Sequence, residues 1–91
     1  MIGIFRGKDK RDRPVLFCNA PQVKEVWFAG AMAATKTGEA RMDIIAQMND
    51  GKILRVSSDE EDVKPFYHDV PTLEDALIKK MEQILTKKCE P

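Results

Sequence analysis

Few side chains in this 91-residue chain could make or break bonds. They are one histidine, His68, beside Asp69; two cysteines, Cys18 and Cys89; and the adjacent serines Ser57 and Ser58. A histidine next to a carboxylate can serve as a general base, because its ordinary pKa lies near neutrality. Cys18 would then be the nucleophile. The spacing gives that arrangement no support: Cys18 ends the apolar run Val15, Leu16, Phe17, Cys18, where a small buried hydrophobe belongs, and no elbow motif surrounds the serines. A triad of this kind can be written for any chain with one residue of each type. Two cysteines and one histidine without close spacing also miss the pattern of a zinc site. The sequence therefore predicts a protein that is not an enzyme and carries no metal or cofactor.

Charge patterning points to binding instead. Residues 6–13 (RGKDKRDR) hold five basic side chains, Arg6, Lys8, Lys10, Arg11 and Arg13, against two acidic ones. These five are the candidate ligand-binding residues, suited to a phosphate-bearing partner. Basic residues on a hairpin loop, in a chain of strands that ends in a helix, resemble in arrangement the phosphoinositide-binding loop of pleckstrin-homology domains. That resemblance implies a small barrel with a terminal helix, although residues 72–88 lack the tryptophan those domains carry in their helix. A solvated loop kept soluble by its charge explains the same residues. Residues 59–62 are four consecutive carboxylates, but calcium loops alternate their ligands and place a glycine at the turn, so a solvated connection is expected. The opposite charges of the two runs permit head-to-tail association.

Adjacent aromatics Trp27 and Phe28 must point to opposite faces of a strand. In a one-sheet domain whose helix covers one face, the other face would carry Ile45, Ile53 and one of these aromatics, and a second subunit would cover it. Trp27, Phe28, Ile45 and Ile53 are therefore the candidate interface, and a closed barrel is the alternative.

The elements behind these placements follow from periodicity and turn signals. Residues 2–5 and 15–18 read as two strands, the second buried, and residues 19–21 (NAP) punctuate before a third strand from Val23. Residues 26–35 read as strand rather than helix because a glycine-ended turn at 36–38 leads into the alternating run 40–48. Asn49, Asp50 and Gly51 form a three-residue hairpin loop; pairing Met48 with Lys52 places Ala46 opposite Leu54 and Ile44 opposite Val56. Residues 58–71 form an acidic and aromatic connection. From 72 to 88 runs an amphipathic helix, capped by Thr72 with Asp75 reaching back; Leu73, Leu77, Met81, Ile84 and Leu85 form its apolar stripe, and Glu82 faces away.

The chain predicts one α+β domain over residues 1–91: an antiparallel meander of about five strands, then one helix packed on the sheet. Its 43% hydrophobic and 33% charged residues suit a folded domain, and zero formal net charge removes the global attraction that a dedicated nucleic-acid binder shows. No signal peptide is expected from the first residues, no apolar run reaches membrane length, and cysteine scarcity fits a reduced, cytoplasmic setting. The function expected is a binding or regulatory module acting through protein contacts as a homodimer. Nucleic-acid or phosphate binding through residues 6–13, with Trp27 or Tyr67 as a stacking platform, is the alternative.

Overall fold

A computed structural model describes residues 2–30, 42–58 and 69–89. Five strands precede one helix: β1 (Ile4–Lys8), β2 (Pro14–Cys18), β3 (Val23–Ala29), β4 (Asp43–Met48), β5 (Ile53–Ser57) and α1 (Val70–Cys89). All strand pairings are antiparallel, and α1 packs on the strands, so the α+β architecture holds. The single sheet does not. β1 and β2 form a two-stranded sheet, β3, β4 and β5 a three-stranded one, and the described strands do not close into a barrel. The break falls at residues 19–22, where Pro21 has no amide to donate and the Val23 amide turns back to the Ala20 carbonyl at 3.1 Å.

The second hairpin has the register its turn dictates. Ala46 lies opposite Leu54 and Ile44 opposite Val56. The Met48 amide donates to the Lys52 carbonyl at 2.8 Å, the Gly51 amide to the Met48 carbonyl at 3.0 Å, and Gly51 has φ of 89°. Asp50 Oδ1 accepts from the Lys52 amide at 3.0 Å, closing the loop from within. Across β3 and β4, a bulge between Val23 and Glu25 resets the alternation. One extra residue there lets Val23 and Val26 both turn inward. The turn expected at 36–38 lies outside the described residues, as do residues 59–68.

The core joins Val26, Met42, Ile44, Ala46 and Val56 from the larger sheet to Ile2 and Ile4 and to Leu73, Leu77, Ile78, Met81 and Leu85 of α1. Ile78, outside the expected stripe, is buried as well. The helix begins two residues before the expected cap. Asp69, not Thr72, caps it: Asp69 Oδ1 accepts from the Thr72 amide at 3.2 Å and Oδ2 from the Thr72 hydroxyl at 2.7 Å. A carboxylate offers two acceptors where a hydroxyl offers one, and Pro71 costs nothing in a first turn whose amides lack helical partners. Glu82 does not face away. Its Oε2 accepts from the Ile4 amide at 2.8 Å, satisfying a donor on the open edge of β1.

Candidate functional site

The two sheets separate between β2 and β3, whose outer edges are unpaired among the described residues. Those edges bound a groove of about 1030 Å³. Leu16, Val26 and Phe28 form its inner wall, contiguous with the core, while Phe17 and Trp27 stand at its other side.

The groove gathers most residues singled out by charge and aromaticity. Arg6, Lys8, Lys10, Arg13, Trp27 and Phe28 all line it, and Arg11, Ile45 and Ile53 do not. Nor do residues 6–13 form one loop. Arg6 and Lys8 belong to β1, and only residues 9–13 turn. Asp9 organises that turn: its Oδ1 accepts from the amides of Arg11 (2.8 Å) and Arg13 (3.0 Å), and its Oδ2 from Arg13 Nε (2.9 Å). The Arg13 amide is the main cause of an Asp9 pKa below the usual carboxylate range, helped by Arg11 and the Arg13 side chain against the opposing effect of burial. Asp12, at φ of 61°, adopts the left-handed conformation that aspartate tolerates.

This local compensation changes the electrostatics. Arg6 reaches Asp75 at 2.7 Å and Glu74 at 3.7 Å on α1, and Lys8 pairs with Asp12 at 3.5 Å. Three of the five expected cations are therefore engaged within the chain. Lys10 and Arg11 make no ion pair among the described residues, and Lys24 adds a further exposed cation to the groove.

The candidate interface residues divide by strand parity. Trp27 and Ile45 are ladder partners on the face away from α1, with Ile53 on the same face beside Gln47. Phe28 pairs with Ile44 and packs against the core. Ile53 is 56% exposed, but Ile45, central and flanked by Trp27 and Arg55, is only 7% exposed.

Two aromatics that the sequence places only within strands, Phe17 in the one expected to be buried, stand on the surface. Phe5 and Phe17 are ladder partners, 57% and 52% exposed, so β2 is not the buried strand its apolar composition suggested. Their rings lie down on glycines: a Cβ added at Gly7 would sit 2.5 Å from Phe17 Cε2, and one at Gly3 2.7 Å from Phe5 Cζ. Glycines two residues to either side of Phe5 were the available signal. Cys18 also lines the groove, its thiol pKa raised chiefly by burial.

The triad weighed from the sequence, Cys18 with His68 and Asp69, includes a residue that the structure does not describe. His68 and residues 59–62 lie outside the described residues, and among the described residues no three His, Cys, Asp or Glu side chains cluster as a metal site would require. Open backbone edges, cations and aromatic rings suit recognition of a ligand. Comparison with known proteins adds no relative: no family model matches the chain, and no curated protein or solved structure matches it.

Proposed function

We propose that this chain is a non-enzymatic protein-binding module of the cytoplasm, whose groove takes an extended, acidic stretch of a partner polypeptide as an added strand. The observation that carries this reading is a pair of unpaired strand edges flanking one groove. An added strand satisfies such an edge's amides and carbonyls and sends alternate side chains to opposite faces. One set would meet Leu16, Val26 and Phe28, the other Phe17 and Trp27, while Lys10 and Lys24 favour carboxylates at the rim. A nucleic-acid strand would use the same cations, but Arg6 and Arg13 already hold carboxylates and the chain has no net charge to attract a polyanion. The two free thiols suit a reducing compartment.

Panning a display library of random extended peptides on the protein tests the reading. Enrichment of alternating apolar and acidic residues is expected. Binding should disappear when alternate peptide amides are N-methylated and should weaken about tenfold in the Lys10→Glu, Lys24→Glu double variant. Trp27, the sole tryptophan, reports occupancy through its emission. Absence of enrichment, or binding indifferent to N-methylation, overturns the proposal; salt-sensitive binding of oligothymidylate in its place assigns the groove to nucleic acid.

A second reading, self-association through the face away from α1, is favoured by the exposure of Phe5, Phe17 and Ile53, each more than half open.

A further inference from the structure

Backbone parity decides which groups the groove offers a ligand. In an antiparallel pair, opposite residues alternate between those that exchange two backbone bonds and those whose amides and carbonyls point away. The Asp9 amide donates to the Arg13 carbonyl at 3.0 Å and the Asn19 amide to the Gly3 carbonyl at 3.2 Å, so in the register between them Gly7 bonds Val15 and Phe5 bonds Phe17. Leu16 and Cys18 therefore turn both backbone groups to the outer edge of β2, and Pro14 turns its carbonyl there. The same alternation sends the Ile4 amide to the outer edge of β1, where Glu82 Oε2 holds it at 2.8 Å. In the larger sheet, the Met48 amide bonds the Lys52 carbonyl and the Ser58 amide the Met42 carbonyl, so Ile44 and Ala46 face β5. Ile45 and Gln47 then bond Trp27 and Glu25, and Val26 and Phe28 turn their backbone groups to the groove.

We propose, resting on the strand-binding role assigned to the groove, that the partner strand docks antiparallel on β2 and closes bonded pairs with Leu16 and Cys18, while β3 supplies side chains only. Edge regularity selects β2. Its ladder with β1 is unbroken, whereas β3 carries the bulge between Val23 and Glu25, a device that defends an edge against pairing. The Phe17 ring lies over Gly7 of β1, on the far side of β2 from the open edge, and leaves that edge accessible. Antiparallel pairing lets Leu16 and Cys18 each exchange two bonds with one opposite residue, and it is slightly stronger per residue than parallel pairing.

Direction then fixes the chemistry of the partner. Leu16 and Cys18 pack against the core, so the partner residues opposite them share that side and are apolar. Those same residues carry the amides that bond β2. The residues between them stand on the side of Phe17, with amides pointing away from β2. Running antiparallel, the partner leaves the groove beside Pro14, at the turn that carries Lys10. A carboxylate directly after the last apolar residue meets that cation, which has no ion pair among the described residues.

A blocked hexapeptide alternating valine and glutamate, valine first, tests this, with Trp27 emission reporting occupancy. In the free protein, the amides of Val15 and Phe17 should exchange with deuterium at least about tenfold more slowly than those of Leu16 and Cys18, and saturating peptide should slow the latter two by about tenfold or more. N-methylation of the valines should abolish binding, and N-methylation of the glutamates should leave affinity within about twofold. Protection of Val26 and Phe28 in place of Leu16 and Cys18 moves the strand to β3, and loss of binding on methylating the glutamates alone makes it parallel. Either result overturns this pairing and leaves the groove's strand-binding role standing. Failure of the peptide to bind at millimolar concentration overturns both.

Discussion

At the scale of single residues, the cap of α1 and its contact with β1 through Glu82 were hidden by ambiguity and by distance. Both Asp69 and Thr72 stand before a run of helix formers, and each could cap it; a carboxylate that serves both the amide and the hydroxyl of Thr72 decides the competition. Those two bonds, the hydroxyl first, lower the Asp69 pKa below its ordinary 3.8. A lowered folded pKa means that the ionised form is favoured by folding. The stabilisation is therefore complete above the unfolded carboxylate's pKa and is lost as pH falls through the folded value. Asp69→Ala should lower the urea midpoint near neutrality, and the gap from wild type should narrow as pH falls from about 5 towards 2. A gap that stays constant with pH would show that the charged cap contributes nothing. The Glu82 contact is a different case. Its partner is a backbone amide at the other end of the chain, so no local pattern could distinguish it from an exposed glutamate.

Elements whose signals are local were legible, and those set by the direction of a connection were not. The β4–β5 hairpin shows the first kind. Turn residues at 49–51 and alternation on both sides converge on one register, and Gly51 takes the positive φ of 89° that the loop needs. Nothing lies within 4 Å of the position a Gly51 Cβ would occupy, so any cost of substitution comes from backbone conformation alone. Gly51→Val should destabilise by about 1 kcal/mol or more, measured by denaturant midpoint at unchanged m-value. An unchanged midpoint would mean that the left-handed conformation is not required. The groove shows the second kind. Asn19, Ala20 and Pro21 announce a turn, but the same three residues would serve a continuous meander or a corner, and only the second opens a space between β2 and β3. The charged residues of 6–13 and the aromatics at 27 and 28 were legible as candidates; that they share one groove depends on that corner. Phe17 was misplaced because an apolar composition, without a period, does not tell a buried strand from one with a single covered face.

For the whole molecule, the open question posed by the fold is its uncovered side. α1 and the core cover the inner faces of both sheets, leaving Phe5 and Phe17 outward on one and Trp27, Ile45 and Ile53 outward on the other. Ile45 already finds cover within the chain, so among the described residues the exposed apolar surface is carried by Phe5, Phe17 and Ile53. An aromatic side chain buries about 150–250 Å² when fully covered, so the half-exposed pair offers only a fraction of the roughly 800 Å² per partner that a stable interface uses. Self-association through this face should accordingly be concentration-dependent rather than obligate. Sedimentation equilibrium from micromolar to millimolar protein is expected to show a rising dimer fraction, and Ile53→Asp is expected to abolish it without changing the urea midpoint, since Ile53 contributes little to the subunit's own core. A monomer at every concentration would remove the homodimer, while unfolding by Ile53→Asp would assign that side chain to the subunit's interior. Because the groove and the outer face meet at Trp27, an acidic peptide bound between β2 and β3 should shift the dimer fraction, and the direction of the shift tells whether the two surfaces compete or cooperate.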